Sequence, residues 1–347
     1  MPEVLAIIPA RSGSKGVIDK NIRLCNCKPL LAYSIEHALK ANSVNRVIVS
    51  TDSEHYADIA RMHGAEVPFI RPPDISGDYS LDIEVFEHCL KFLKNNKNYI
   101  PDICVHLRPT HPVREPYMID EMVQLLLDNP EWDSVRSVSL SPITPYKMWN
   151  FEKNGVLSPI VSCDIKEAYN APRQILPKTY IQNACIDVVR SSVILEKSSM
   201  TGGIIGGYVQ KADFDIDTES EFLKAELYLE IKERVSNGER LRFCVDIDGV
   251  IAAKTEQNDY SKAEPNLRSI SFINKMHSLG HYIVLFTARG SATGIDWEQT
   301  TKKQLGDWNV KYSELKFGKP AATIYIDDRL LSIDHAQILM DLTEVMS

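Results

Sequence analysis

The chain has 347 residues, more than one ordinary domain needs, so we expect two domains. Its 44% hydrophobic and 25% charged residues are typical of a soluble globular protein, and the formal net charge of −8 argues against binding of duplex nucleic acid. No apolar run approaches the roughly 20 residues that span a bilayer. The start of the chain lacks the features of a signal peptide, and its seven scattered cysteines do not indicate a disulfide framework. We therefore expect a cytoplasmic enzyme that binds neither nucleic acid nor membranes.

The first apolar segment, residues 4–8, leads through Pro9 into a loop with glycines and cations, and then into a helical pattern at residues 29–39. Gly13 and Gly16 permit a close approach of a ligand to the backbone. A strand, a glycine-containing loop and a helix place backbone N–H groups and basic side chains where a polyphosphate can bind. An ordinary strand-to-helix turn with exposed basic residues is the alternative. The basic residues of the loop are Arg11, Lys15 and Lys20.

Two named glycine motifs are absent from this loop. A P-loop requires G-x-x-x-x-G-K-[ST], and a dinucleotide fingerprint requires G-x-G-x-x-G. Gly13 and Gly16 give only G-x-x-G. The sequence therefore disfavours nicotinamide chemistry and the Walker type of NTPase.

Strand-like and helix-like segments alternate along the first 230 or so residues. This order predicts a mostly parallel sheet with helices on both faces, whose binding crevice is lined by the loops that follow the strands. Those loops carry Arg11, Asp52 and Arg108. The predicted strands are residues 4–8, 46–50, 103–107 and 134–139, and the helices between them are 53–63 and 116–127.

Residues 142–180 are less regular and contain five prolines, so we expect an excursion from the sheet that serves as a lid or a dimer arm. Lys147, Arg173 and Lys178 could meet an anionic substrate there. Each of these cations taken alone is more often a solvated surface charge.

Alternating carboxylates follow at Asp213, Asp215 and Asp217, which on a strand would face one side. Such closely spaced carboxylates repel one another unless a cation neutralises them, and Mg²⁺ bridging to substrate phosphates suits them. A solvated edge strand and a helix capped by Thr218 is the alternative. The next helix pattern ends near Asn237, so we expect a first domain at 1–233, a linker at 234–240 and a second domain at 241–347.

The second domain has its own set of polar residues after apolar strands, two of which are predicted at residues 282–286 and 323–326. Phosphoryl transfer to an aspartate needs a carboxylate nucleophile, a second carboxyl as acid and base, further carboxylates around Mg²⁺, and cationic and hydroxyl donors to the phosphoryl oxygens. The residues that fit this requirement are Asp246, Asp248, Thr287, Lys319, Asp327 and Asp328.

This ordered set resembles the haloacid dehalogenase superfamily of phosphohydrolases, over residues 241 to about 335. The resemblance implies that Asp246 is the nucleophile and Asp248 the general acid and base, and that Thr287 and Lys319 hold the phosphate. It places Mg²⁺ among Asp246, Asp248, Asp327 and Asp328. The short interval between Asp246 and Thr287 leaves no room for a large cap domain.

The motifs of the first domain, taken together and in order, resemble the acylneuraminate cytidylyltransferases, which make CMP-activated nonulosonic acids. The resemblance covers residues 4 to about 222. Its motifs are IIPARSGSKG at 7–16, VSTDSE at 49–54, FIRPPDISGD at 69–78, LRPTHPVR at 107–114, APRQILPKTYIQNA at 171–184 and DIDTESEF at 215–222.

This second resemblance implies a reaction in which the anomeric hydroxyl of an acid sugar attacks the α-phosphorus of CTP and releases pyrophosphate. Arg11 and Lys20 would stabilise the developing charge, and Asp215 and Asp217 would carry Mg²⁺. The residues implied to hold CTP are Arg11, Ser14, Lys15, Lys20, Asn21 and Arg71. Those implied to surround the sugar are Arg108, Lys147, Arg173, Gln174, Tyr180 and Asn183.

The chain departs from the family pattern at three places. Arg108 stands where LQPTSPLR has an uncharged amide, Ala184 replaces a usual glycine, and Cys25 and Cys27 replace a more polar turn. The acceptor is then a sialic-acid-like nonulosonic acid or a different anionic or phosphorylated molecule.

Together the two resemblances predict two Rossmann-like, three-layer α/β domains, one with the nucleotidyltransferase fold and a smaller capless phosphatase domain. We expect a homo-oligomer, dimer or tetramer, that uses CTP, an acid sugar and Mg²⁺. In the alternative, the second domain is a non-catalytic oligomerisation module.

Overall fold

The computed structural model describes residues 2–14, 17–210, 214–255, 259–319 and 332. The chain forms two compact units, Met1–Glu226 and Leu227–Ser347. The helices are α1 (Leu30–Lys40), α2 (Glu54–Met62), α3 (Asp82–Lys97), α4 (Pro116–Asp128), α5 (Ser191–Lys197), α6 (Glu219–Ser236), α7 (Leu267–Ser278) and α8 (Glu298–Asp307).

The strands are β1 (Val4–Pro9), β2 (Leu24–Cys25), β3 (Lys28–Pro29), β4 (Arg46–Ser50), β5 (Ile103–Leu107), β6 (Ser134–Leu140), β7 (Trp149–Phe151), β8 (Leu157–Pro159), β9 (Tyr180–Arg190), β10 (Ile205–Gln210), β11 (Arg242–Asp246), β12 (Tyr282–Phe286) and β13 (Glu314–Lys316).

The first unit is built on a six-stranded sheet in the order β10-β6-β9-β5-β1-β4. β1 pairs in parallel with β4 and β5, and β10 pairs in parallel with β6. β9 is antiparallel to both of its neighbours, β5 and β6. The prediction of a mostly parallel sheet is therefore confirmed, and the carboxyl ends of β1, β4, β5 and β6 share one edge.

Alternate residues of β1 enter two separate cores, because successive side chains of a strand point to opposite faces of the sheet. Val4, Ala6 and Ile8 pack with α1, α2 and α4 on one face. Leu5 and Ile7 pack with α3 and α5 on the other face. Both faces are covered by helices, as the sequence predicts.

The second unit contains a three-stranded parallel sheet in the order β11-β12-β13. Its buried side chains include Ile247, Ile273, Ile283 and Leu285. Asp246 at the end of β11 pairs with Phe286 at the end of β12, so polar residues that follow these strands meet at one edge. The strand predicted at 323–326 lies outside the described residues.

Several predicted elements coincide with observed ones, including β4, β5 and β12. The strand considered for the alternating aspartates is wrong for residues 214–217, which form no strand. The backbone N–H of Ile216 donates instead to the carbonyl oxygen of Thr110 in a loop. The Thr218 cap that the alternative interpretation included is present, since the Glu221 N–H donates to Thr218 Oγ1 at 3.3 Å.

The turn between β2 and β3 explains the unusual Cys25–Cys27 segment. Asn26 and Cys27 both adopt positive φ, 46° and 62°, as a two-residue hairpin turn of type I′ requires. Among the described residues, no helix has the length and apolar character needed to cross a membrane.

Candidate functional site

A cavity of about 400 Å³ opens at the carboxyl edge of the first sheet. It is lined by residues that follow β1 and β5, by the segment after β4, and by the start of α3. The cavity brings together six of the residues predicted to bind substrate, namely Arg11, Ser14, Lys20, Asn21, Arg71 and Arg108. Lys15, predicted with them, lies outside the described residues.

The loop after β1 is fixed by a carboxylate from the neighbouring strand. The Ser12 backbone N–H and hydroxyl donate to the two oxygens of Asp52 at 2.7 and 2.8 Å. Gly13 adopts a φ of +76°, which a side chain would strain. The Asn21 amide donates to the Arg11 carbonyl oxygen at 2.9 Å, so Asn21 holds the same loop. These contacts hold the described part of the loop in place beside the cavity.

Three cations face the cavity with different degrees of compensation. Arg11 pairs with Asp78 at 2.7 Å, and Lys20 pairs with Asp217 at 3.1 Å. Arg71 is 4% exposed, and burial lowers the pKa of its guanidinium. Its Nη2 has no hydrogen-bond partner within the part of the chain that the structure describes. A buried donor without a partner is costly, so Arg71 is poised to donate to a ligand in this cavity.

Asp215 and Asp217 form a carboxylate pair near Lys20. Burial raises the pKa of Asp215, and the nearby Asp217 raises it further. His111 Nε2 lies 3.3 Å from Asp215 Oδ1, and burial is the main cause that lowers the pKa of His111 to about 2. Across the described residues, no three His, Cys, Asp or Glu side chains form a group that could hold a metal ion. Two oxygen donors are present here, and substrate phosphates would have to supply others.

Arg108 also lines the cavity, but its guanidinium is paired with protein groups. It donates to Asp82 Oδ2 at 3.0 Å and to Asp187 Oδ2 at 3.2 Å. Asp187 is 2% exposed and also accepts a hydrogen bond from Arg136 Nε at 2.7 Å. His106 lies beneath, with Nδ1 3.9 Å from each carboxylate, and burial holds its pKa well below the usual value.

The other predicted sugar-binding residues are placed differently. Lys147, Arg173, Gln174 and Tyr180 belong to the excursion between β6 and β9 or to its end, and none of these four lines the cavity. Asn183 is 3% exposed, and its amide is used within the protein. Its oxygen accepts hydrogen bonds from the hydroxyl of Ser137 and the N–H of Cys185, and its nitrogen donates to Ser139 and Gln210.

Sequence reasoning assigned no role to Asp82, Asp187 or His106. Asp187 carried a signal, because an acidic residue interrupts the apolar run of β9. Asp82 was missed together with α3, the helix that it begins, which was not predicted.

The second unit assembles a separate set of polar side chains at the end of its sheet. Lys319 Nζ donates to Asp246 Oδ2 at 2.5 Å, and the hydroxyl of Thr287 donates to Asp248 Oδ2 at 3.2 Å. The structure thus brings together four of the residues predicted for phosphoryl transfer. Asp327 and Asp328, the other two, lie outside the described residues.

Arg289 is the residue of this set that sequence reasoning missed. Its side chain is fully buried, and Nη2 and Nε donate to Asp248 at 2.8 and 3.0 Å. Its Nη1 donates to Thr301 and Gln304 of α8, and the ring of Tyr260 lies 4.8 Å from the guanidinium. The available signal was an arginine two residues after Thr287.

Comparisons with known proteins relate the first unit to one family. A family model described as cytidylyltransferase matches residues 5–144. The chain is 39% identical over 139 residues to N-acylneuraminate cytidylyltransferase of Escherichia coli. The aligned region covers 40% of this chain but only 32% of that protein. It is 32% identical over 238 residues to CMP-N,N'-diacetyllegionaminic acid synthase of Legionella pneumophila, covering 66% of this chain and 97% of the relative.

A solved structure of CMP:2-keto-3-deoxy-manno-octonic acid synthetase complexed with CTP aligns with 66% of this chain and 99% of its own, at 16% identity and a TM-score of 0.49. That score is too low to support the fold assignment. The Legionella relative is matched over almost its whole length, and the family model covers the loop, strands and helices around the cavity. The chain therefore belongs to the cytidylyltransferase family.

Proposed function

We propose that the first unit transfers CMP from CTP to the anomeric hydroxyl of a nonulosonic acid and releases pyrophosphate. The observation that carries this proposal is the cavity, in which Arg11 and Lys20 of the loop after β1 come together with Arg71 of the segment after β4. Three cations around one cavity suit a triphosphate. Two relatives of this chain are named for CMP transfer to such acid sugars.

In the proposed reaction the acceptor oxygen attacks the α-phosphorus of CTP, and the bond to the pyrophosphate leaving group breaks. Such a transfer needs positioning and charge stabilisation more than a covalent nucleophile. Lys20 and Arg11 supply positive charge beside the leaving phosphates. Arg71 donates to the nucleotide from Nη2, which has no partner among the described residues.

Asp215 and Asp217 fit a magnesium ion, because the pKa of Asp215 is raised in part by the charge of Asp217. A bound cation would relieve this repulsion, and carboxylate oxygens are ligands that Mg²⁺ prefers. Mg²⁺ would supply neutralisation of the phosphate charge in this site. We include it in the proposal as the cofactor.

The excursion between β6 and β9 exposes large apolar side chains, including Phe151, Leu157 and Ile175, which are 79%, 50% and 59% exposed. We propose that the chain assembles as a dimer or tetramer, with Lys147, Arg173, Gln174 and Tyr180 contributing to acid-sugar binding in the assembled enzyme.

The test is pyrophosphate release from CTP and Mg²⁺ in the presence of a panel of nonulosonic acids. Lys20→Met should lower kcat/KM by roughly a hundredfold, because it removes a cation near the reacting phosphates. Lys40→Met, at the exposed end of α1, is the matched control and should leave the rate unchanged. Absence of pyrophosphate release with every acid would refute the proposed transfer.

A second proposed function concerns the second unit, as a phosphatase that acts on a sugar phosphate. The supporting observation is the placement of Asp246, Asp248, Thr287 and Lys319 where the parallel strands end. In this reaction Asp246 attacks the phosphorus, and Asp248 gives its proton to the departing alcohol. A water molecule then attacks the phosphorus of the phosphoaspartate and gives a proton back to Asp248. The bond between phosphorus and the Asp246 oxygen breaks, inorganic phosphate leaves, and both side chains are regenerated.

In this unit, Asp246 and Asp248 together with Asp327 and Asp328 are the proposed ligands of Mg²⁺, which would neutralise the phosphate charge. Asp246→Asn should abolish hydrolysis of an aryl phosphate, because the amide is not a nucleophile. Asp259→Asn, an exposed change in the same unit, should hydrolyse it normally. Equal hydrolysis by the Asp246 variant and the unaltered protein would remove Asp246 from this role. No hydrolysis by the unaltered protein would favour a non-catalytic oligomerisation module.

A further inference from the structure

The segment between β4 and α3 places a carboxylate on one of the cations of the cavity. Asp78 belongs to this segment, and its Oδ1 accepts a hydrogen bond from Arg11 Nη1 at 2.7 Å. Gly77 and Ser80, which flank Asp78 in the chain, line the same cavity as Arg11. The negative charge of Asp78 therefore lies against a guanidinium that is proposed to meet the phosphates of CTP.

The backbones on both sides of this ion pair are held by other contacts. The Gly77 N–H donates to Ser80 Oγ at 2.9 Å, which closes the turn that carries Asp78. The Asn21 amide donates to the Arg11 carbonyl oxygen at 2.9 Å. The ion pair can therefore open while both backbones stay in place.

The ion pair itself is of a weak kind. The side chains of Arg11 and Asp78 are 35% and 34% exposed, so water screens the attraction between them. The structure shows one hydrogen bond between them, rather than the two parallel bonds with which a carboxylate fixes the plane of a guanidinium. Tyr79, the next residue, is 96% exposed, so its side chain does not pack over the carboxylate. A ligand with several negative charges can take Arg11 from Asp78 at little cost.

We propose that Asp78 is an internal competitor for the phosphate site at Arg11, and that it weakens the binding of pyrophosphate and so helps this product to leave. The inference rests on the proposed CMP transfer. A phosphate at Arg11 and the Asp78 carboxylate are anions that seek the same N–H groups, and their charges repel each other. CTP is also held through its nucleoside, whereas pyrophosphate has only its phosphates. As pyrophosphate leaves, Asp78 returns to Arg11.

The test is the affinity of the full chain for inorganic pyrophosphate, measured by isothermal titration calorimetry in the absence of an acceptor. Asp78→Asn removes the competing charge and should bind pyrophosphate roughly fivefold more tightly than the unaltered protein. Asp78→Ala should give the same gain, and Asp78→Glu, which keeps the charge, should stay within about twofold of the unaltered protein. Asp74→Asn is the matched control, because it removes the same charge from an exposed position of the same segment, and it should also stay within about twofold.

A second pair of variants tests whether the competition takes place at Arg11. Arg11→Met should weaken pyrophosphate binding, and adding Asp78→Asn to this variant should restore less than about twofold, because the shared site is gone. A full fivefold gain in the Arg11→Met background would overturn the inference.

Equal affinities of Asp78→Asn and Asp74→Asn for pyrophosphate would overturn it as well. So would weaker binding by Asp78→Asn, which would mean that Asp78 orients Arg11 for the ligand. These results would leave CMP transfer standing, since pyrophosphate release from CTP in the presence of an acid sugar is measured separately. Absence of that release would remove the proposed function and, with it, this inference.

Discussion

Asn183 offers a sharp test of the structure, because the family resemblance implies a sugar contact while the structure uses its amide internally. Replacing Asn183 by Ala leaves the Ser137 hydroxyl without its acceptor and Gln210 Oε1 without its donor. Each buried polar group that loses its partner costs about 1–3 kcal/mol. We expect Asn183→Ala to destabilise β6 and β9 by about 3 kcal/mol even in the absence of substrate.

Native-state hydrogen exchange can measure this loss in the first unit alone. At 1.4 kcal/mol per factor of ten, the backbone amides of β6 and β9 should exchange roughly a hundredfold faster in Asn183→Ala. Asn96→Ala is the matched control, since Asn96 lies on the exposed side of α3 and its amide donates to the Phe92 carbonyl oxygen of the same helix. It should change stability by no more than about 0.5 kcal/mol.

A side chain that is free to bind sugar would behave differently. If Asn183→Ala and Asn96→Ala exchange at the same rate, and Asn183→Ala only raises the KM for the acceptor, the internal role of Asn183 is wrong. Loss of protection in both strands with an unchanged second unit supports it.

Three further changes test other parts of the molecule. Ala184→Gly should stabilise the first unit by about 0.5 kcal/mol, because Ala184 has a φ of +56° and glycine adopts a positive φ without strain. Hydrogen exchange of the β9 amides should then be roughly twofold slower, and faster exchange would contradict this prediction. Arg289→Met should destabilise the second unit by about 3 kcal/mol, because it leaves the Asp248 carboxylate without its paired cation. The exposed control Arg242→Met should cost no more than about 0.5 kcal/mol. Hydrogen exchange in β11 and β12 measures the stability of both variants. Equal stability of Arg289→Met and Arg242→Met would rule out a strong pairing of Arg289 with Asp248.

The third change concerns pH, and its sign follows from His106. Burial holds the pKa of His106 in the folded protein well below the ordinary histidine value of about 6.5, so below that pH the unfolded chain takes up a proton that the folded chain does not. Stability is therefore lost as the pH falls, by about 1.4 kcal/mol per pH unit for such a histidine. His106→Leu should remove about 1.4 kcal/mol of the stability that the first unit loses between pH 6 and 5. Hydrogen exchange at increasing urea concentrations measures this stability. The exposed His55→Leu variant should lose as much stability as the unaltered protein.

The sequence predicted the elements whose local pattern is strong. β4, β5 and β12 are short runs rich in β-branched and apolar residues, and their observed bounds agree with the predicted ones. The loop after β1 was recognised because glycines and cations follow a buried strand. The order of the strands also gave the edge at which the cavity lies, since the carboxyl ends of parallel strands meet there.

The parts that were missed depend on pairing over long distances. The reversed direction of β9 is set by its two neighbours and leaves no mark in its own residues. From the sequence, Arg108 was interpreted as a free cation, because its partners Asp82 and Asp187 lie 26 and 79 residues away in the chain. By contrast, α3 was missed although Val85, Cys89 and Leu93 follow a helical spacing that could have revealed it.

The reversed strand β9 also determines how this protein can change. Leu140 at the end of β6 is paired directly with Tyr180 at the start of β9, so residues 141–179 leave and re-enter the sheet at adjacent positions. A segment whose two ends are held together by the framework can be lengthened, shortened or replaced at little entropic cost to the rest of the fold. The six-stranded sheet can thus remain constant while the segment at its edge is exchanged, which makes this excursion a natural unit for transplantation between related enzymes.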